Sequence, residues 1–339
     1  HAVKNNWNTN RVHLIFDYVD DFPLREIICL NPRTVLTQTR RSIDVVESGG
    51  ETMENDFRSD QPTFIVIGAM KSGTTSLYNY LVQHPLIVEG NRRETHFFDW
   101  NFPCHLKTIQ QQRQFYMKFF KQSLLSKHRS LMTGESTPSY MIYSNRVIPR
   151  IKAISPHSKI LAILRDPVKR AYSHYNMERM KAGTKNFEEQ VYSNVPFEEA
   201  VQKDLEALKG FGIDQSSTSA EFIEKYVKKM PDKPSHSLIA RGLYALLLEP
   251  WLAAFSESQI KVIFLDDFQN NSVDAVMGEI HEFIGVPHEP IKNKEPFHVR
   301  EYKEPMNPQT MEMLRGFYEP FDEKLEKLLK RPLPWKNVS

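Results

Sequence analysis

The feature that most narrows what this chain can fold into is a strand, turn and helix signature beginning at Thr63. Thr63 to Ile67 is a continuous apolar run ending in Gly68; the turn Ala69-Met70-Lys71-Ser72-Gly73 follows, and Leu77, Tyr80 and Leu81 then recur at helical spacing. A short run without polar alternation reads as a strand buried on both faces, and the change of period marks a helix start. Lys159 to Leu164 begins a second copy, with Arg165-Asp166-Pro167 as the turn and a helix over Val168 to Met180. Asp166 suits the N-cap and Pro167 the first helical position. Ile260 to Leu265 is a third such strand, preceded by an apolar helix from about Leu238 to Phe255. Strands alternating with helical segments predict an α/β fold, a parallel sheet with helices on both faces.

A length of 339 residues allows two domains but does not require them, since one α/β domain with insertions absorbs it. Residues 1–60 read as an N-terminal extension: Arg11 to Tyr18 is strand-like, and polar, Pro-punctuated sequence runs on to a linker around Ser48-Gly49-Gly50-Glu51. Residues 61–339 read as the main domain. Lys and Arg total 44 against 42 for Asp and Glu, which excludes a strong global field for nucleic acid or acidic membrane. Any anion site is therefore local. Cys29 and Cys104 are too few for a disulfide framework or a multi-cysteine metal site, and one bridge between them stays open. No apolar run approaches the roughly 20 residues of a spanning helix. The chain begins at His1 without Met or signal peptide, as expected of a fragment whose targeting segment has been removed. Asn270-Asn271-Ser272 and Asn337-Val338-Ser339 would be glycosylation acceptors in a secretory compartment.

The turn after the first strand places backbone N–H groups at a helix start, where they converge on an anion. A nucleotide triphosphate loop puts its Lys after the last glycine; here Lys71 precedes Gly73, and Thr74 stands where that Lys would be. The pattern of strand, G-x-x-K-S-G-T-T and helix resembles the 5′-phosphosulfate loop of sulfotransferases that use 3′-phosphoadenylyl sulfate (PAPS) and release adenosine 3′,5′-bisphosphate (PAP). The resemblance implies the P-loop-NTPase-like sulfotransferase fold. It also implies that Lys71 meets the oxygen bridging phosphate and sulfate, while Ser72, Gly73, Thr74, Thr75 and Ser76 hold the 5′-phosphate. Leu164-Arg165-Asp166-Pro167, with Ser173 two helical turns on, resembles the same family's 3′-phosphate site. By that resemblance Arg165 and Ser173 hold the phosphate that separates PAPS from ordinary nucleotides. Arg241 and Tyr244, in a segment that resembles the family's next helix, are further candidates for it; Tyr244 and Trp251 read equally well as core.

Sulfuryl transfer needs a base for the acceptor hydroxyl and a cation for the leaving phosphate, facing each other across the sulfur. Arg92-Arg93-Glu94-Thr95-His96-Phe97-Phe98-Asp99-Trp100 resembles the E-x-H-F-F-D-W stretch of the heparan-sulfate 3-O-sulfotransferases and, more loosely, a stretch of the N-deacetylase/N-sulfotransferases. The resemblance makes Glu94 the general base, His96 its helper and Lys71 the cation, with His96 itself as the alternative base. Without it, an acid beside two arginines reads as a surface ion pair. The chain departs from the 3-O-sulfotransferase pattern at Glu135-Ser136-Thr137-Pro138, where Ser136 replaces a Lys, and no cysteine follows Cys104. Apolar spacing over 308–329 predicts one or two packing helices, and the run over 305–329 is more similar to the tail of chondroitin-type and bacterial carbohydrate sulfotransferases. The acceptor is thus expected to be a glycan, with a hydroxylated small molecule as the alternative. No metal is implied. Residues 182–234 read either as an acceptor-side insertion or as a solvated excursion. Lys292 to Lys303 is a segment that would close over the cofactor.

The start, His1-Ala2-Val3-Lys4-Asn5 with Arg11 to Asp17, resembles the end of an aspartyl/asparaginyl β-hydroxylase-type jelly roll. That implies a fused oxygenase domain upstream, without an iron site in this chain. Two other functions compete: a phosphoryl-transfer kinase, which wants a Lys after Gly73 and Mg²⁺-binding acids, and a non-catalytic PAPS- or glycan-binding module of the same fold.

Overall fold

The structure, a computed structural model, describes residues 61–181, 195–229, 237–296 and 304–336. The extension over 1–60 with its jelly-roll-like start and Cys29, the segment 297–303 with Lys303, and Asn337-Val338-Ser339 lie outside the described residues. The strands are β1 (Phe64–Gly68), β2 (Ile87–Val88), β3 (Met132–Ser136), β4 (Lys159–Leu164) and β5 (Ile260–Phe264). The principal helices are α1 (Thr74–Leu81), α2 (Ile109–Met117), α3 (Ser144–Ile154), α4 (Pro167–Lys181), α5 (Phe197–Gly210), α6 (Ser219–Lys225), α7 (Tyr244–Ala254), α8 (Val273–Ile284) and α9 (Pro308–Leu329).

The five strands form one parallel sheet in the order β2-β3-β1-β4-β5. Side chains alternate across it with the two-residue period of a strand. Phe64 and Val66 of β1, with Leu161 and Ile163 of β4, pack on one face beneath α1 and α8. Ile65, Ile67, Ile160, Ala162 and Leu164 pack on the other against α3, α4 and α7. The α/β class expected from the sequence is observed, with β1, β4 and β5 where the apolar runs lie. The helix expected over 238–255 is a 3₁₀ turn at Ala240–Gly242 followed by α7.

Two strands escaped the sequence reading. β3 reads Met-Thr-Gly-Glu-Ser, yet all five residues are buried. Its glycine is a packing requirement: a Cβ at Gly134 would lie 2.5 Å from the Phe64 ring on the neighbouring strand. The tail is a single helix, α9, with Pro320 inside it. The described part of the 182–234 stretch enters the core through Phe197, Val201, Leu208 and Phe222. Among the described residues no helix is long and apolar enough to cross a membrane.

Candidate active site

The first two motifs meet at the C-terminal edge of the sheet, where ligands of open α/β sheets bind. β1 and β4 are adjacent, and Ala69 N–H donates to the Ile163 carbonyl at 2.7 Å, so the turns that leave the two strands run side by side. The Arg165 guanidinium donates to the Lys71 carbonyl at 3.3 Å, joining the two motifs directly. The Tyr244 hydroxyl donates to the Arg165 carbonyl at 3.0 Å and fixes that turn from α7. Burial pushes Tyr244 up to about 12, against the nearby Arg170 charge and the Ser72 hydroxyl, so it stays a phenol.

Gly73 is the N-cap of α1 with φ 91°, and no side chain caps the helix. A Cβ at Gly73 would approach Leu265 Cδ1 to 2.8 Å, so this turn is open only to glycine on grounds of both space and dihedral. Without a side-chain cap, the first-turn N–H groups of α1 remain for an anion. Ser72 Oγ is fully buried beside the Tyr244 hydroxyl and makes no hydrogen bond of normal geometry. A buried, unsatisfied hydroxyl behind uncapped amides fits a phosphate-bearing cofactor. Lys71 has φ 71° and His96 φ 52°; a non-glycine residue there is strained by roughly 1–3 kcal/mol, a cost that collects at functional positions.

Asp166 caps α4, accepting from Val168 N at 2.8 Å and Lys169 N at 3.3 Å. Ser173 lies two turns along the same helix and is buried. Arg241 is buried too, and its Nε donates to Ser237 Oγ at 2.8 Å. Burial lowers the Arg241 pKa, and its electrostatic neighbours include Tyr143, Arg170, Tyr226 and Asp99. The sequence brought Arg241 and Tyr244 forward together; the structure ties Tyr244 to the Arg165 turn and Arg241 to Ser237. A cavity of about 420 Å³ beside α4, lined by Tyr172, Tyr175, Arg179 and Phe197, holds none of the candidate residues.

The Glu94 segment is anchored on β3, on the other side of β1. Ser136 N–H donates to the Arg93 carbonyl at 3.0 Å. Glu94 pairs with Arg93 at 2.7 Å, the surface ion pair expected of an acid beside arginines, and its other oxygen lies 3.6 Å from His96 Nε2. His96 Nδ1 lies 3.2 Å from Asp99 Oδ2, which also accepts from the Ser139 hydroxyl at 2.5 Å. Arg150 donates to the Phe98 carbonyl at 2.6 Å and the Asp99 carbonyl at 3.1 Å, and the Trp100 ring stacks on His96 at 4.1 Å. Burial opposes a charge on His96, but the hydrogen bonds and charges of Asp99 and Glu94 prevail and push it up to about 9. Burial would raise Glu94, yet the neighbouring His96 and Arg93 hold it below the ordinary carboxylate value. At neutral pH the arrangement is an imidazolium between two carboxylates. Asp99, Ser139 and Arg150 were not singled out from the sequence; the Asp three residues after His96 was the available signal.

The parallel sheet carries a candidate anion loop of non-kinase pattern and, on a segment held by β3, a carboxylate beside a protonated imidazole. The family model for the sulfotransferase domain matches residues 61–316. The chain belongs to the sulfotransferase domain family, whose enzyme class is the PAPS-dependent sulfotransferases. It is 26% identical to the membrane-associated sulfotransferase kil1 of Dictyostelium discoideum over 81% of this chain and 67% of that protein. It is 32% identical to the bifunctional heparan sulfate N-deacetylase/N-sulfotransferase 4 of Mus musculus over 67% of this chain and 23% of that protein. A crystal structure of a sulfotransferase from Alicyclobacillus acidocaldarius superposes with a TM-score of 0.58 at 26% identity, covering 82% of this chain and 99% of that one. The chain thus spans between 23% and 67% of the length of the two curated relatives.

Proposed function

We propose that this domain moves a sulfuryl group from PAPS to a hydroxyl of a carbohydrate acceptor by in-line displacement. When bound, PAPS supplies an activated sulfuryl group on a phosphate leaving group. The residues that would hold it are Ser72, Gly73, Thr74, Thr75 and Ser76 at the 5′-phosphate and Arg165 and Ser173 at the 3′-phosphate, with Arg241 and Tyr244 as supports. Lys71 offsets the charge that grows on the leaving oxygen. Glu94, ionised, takes the proton of the acceptor hydroxyl. The His96 imidazolium, held by Asp99, donates toward Glu94 and orients it. The contact of Arg165 with the Lys71 carbonyl carries this reading, because it sets the two candidate turns side by side, as a nucleotide held at both of its phosphates would require.

His96 as the base is the weaker assignment, since a group pushed up to about 9 is protonated at neutral pH. The glycan acceptor is favoured by relatives such as a carbohydrate sulfotransferase 15 of Rattus norvegicus, 27% identical over 82% of this chain. A small-molecule alcohol is the second acceptor class. Incubation with PAPS carrying labelled sulfate and a panel of polysaccharides and small alcohols tests both. Label should move to a polysaccharide, ATP should not replace PAPS, and Lys71→Ala or Glu94→Ala should abolish transfer. Turnover indifferent to both substitutions would overturn the assignment of roles.

A further inference from the structure

We propose that Glu135 is the positioning residue of the active site: its carboxylate sets the backbone of residues 95–98 and so aims Glu94 and His96. The proposal rests on the reading of Glu94 as the base. Glu135 is on β3, in register with Ile65 of the central strand, and is fully buried. Its partners are hydroxyls. Thr95 Oγ1 and the Tyr116 hydroxyl donate at 2.5 Å, Thr137 Oγ1 at 2.7 Å and the Tyr140 hydroxyl at 3.2 Å; Thr95 N–H adds a longer contact at 3.4 Å.

These hydroxyls are relays. Phe97 N–H donates to Thr95 Oγ1 at 3.2 Å, His96 N–H to Thr137 Oγ1 at 3.4 Å and Phe98 N–H to the Tyr140 hydroxyl at 3.2 Å. With Thr95 N–H on the carboxylate itself, four successive backbone donors end on Glu135 directly or through one hydroxyl. Each relaying hydroxyl accepts from the backbone and passes its own proton inward, which requires a centre that only accepts. A carboxylate can be that centre: burial raises the Glu135 pKa and opposes its charge, and the hydroxyls of Thr95, Tyr116, Thr137 and Tyr140 act against that rise, whereas an amide would turn at least one hydroxyl around. The same network holds His96 in its left-handed conformation, φ 52°. A site needing only to fill space would be served as well by an apolar side chain, because a buried carboxylate carries a desolvation penalty.

The test compares Glu135→Gln and Thr95→Val with the unaltered chain for kcat with labelled PAPS, for PAP affinity by calorimetry and for Tm. Both variants should lose about tenfold or more in kcat, as misplacement by a fraction of an ångström does, while PAP affinity stays within about twofold. The proposal is overturned if kcat stays within about twofold of the unaltered chain, or if kcat and PAP affinity fall by the same factor. Should Glu135→Gln fail to fold, Thr95→Val, which removes one relay and keeps the shape, decides alone. Glu94→Ala separates the two readings: turnover surviving in it refutes the base assignment, whereas its loss beside an unaffected Thr95→Val refutes only the role of Glu135.

Discussion

Asp99→Asn removes one of the two negative charges that hold the proton on His96 and leaves the shape of the site intact. His96 stands at about 9 against an ordinary 6.5, because Asp99 and Glu94 together more than offset its burial. An opposite charge this close is worth about 1–3 pKa units, so the substitution should bring His96 down to between about 6 and 8. With Glu94 as base and the imidazolium as its orienting partner, kcat/KM should fall on the acid side as Glu94 protonates, below the ordinary 4.5. On the alkaline side it should fall near pH 9 as His96 loses its proton. In the variant the alkaline limb moves down by about 1–3 units while the acid limb moves little. Initial rates with labelled PAPS from about pH 3 to 10, with PAP affinity measured alongside, would show both limbs. A profile still rising through pH 9 in the unaltered chain, with higher activity at neutral pH in the variant, would mean that neutral His96 is the base and would refute the reasoning. Stability follows the same sign. A raised histidine pKa stabilises fully below the unfolded value of 6.5 and is lost as pH rises through about 9. The rise from 6.5 to about 9 corresponds to about 3 kcal/mol.

Two further substitutions have signs set by the structure. Gly73→Ala meets both the φ of 91° and the approach to Leu265, so it should lower stability by about 1–3 kcal/mol and weaken PAP binding about tenfold or more, measured by thermal melts and calorimetry. Asp322 is pushed up to about 7, burial outweighing its hydrogen bond from Trp335, so ionising it costs the fold stability as pH rises from about 4 to 7. Asp322→Asn keeps an acceptor for Trp335 and should raise Tm at pH 8 by a few degrees while leaving it little changed at pH 4.5; an equal shift at both would contradict the burial argument.

Much of the fold was legible because β1 and, past Lys159, β4 are buried on both faces and read as continuous apolar runs, while β5, at the sheet edge, is interrupted only by Lys261. β3 was not, and its residues show why. Gly134 is there to admit the Phe64 ring, and the enclosure of Glu135 is completed only when the distant Thr95 and Tyr116 hydroxyls join those of Thr137 and Tyr140. Neither reason appears in a window of local sequence. The candidate loop residues and Arg165 stand out in short motifs, since their spacing follows from local turn and helix geometry. Asp99 could be guessed at most from its place three residues after His96.

By itself the sequence determined the layered α/β plan, the glycine-bearing turn ahead of α1 and the Arg that follows β4, because strand burial, helix capping and glycine dihedrals act over a few residues. The tertiary structure alone decided that β1 lies between β3 and β4, and so which turns share one edge of the sheet. It also decided the charge on the acid segment: the protonation of His96 depends on Asp99 and Glu94 close by, under the burial imposed by the packed core. Electrostatic coupling falls with distance through space, and distance along the chain does not measure it.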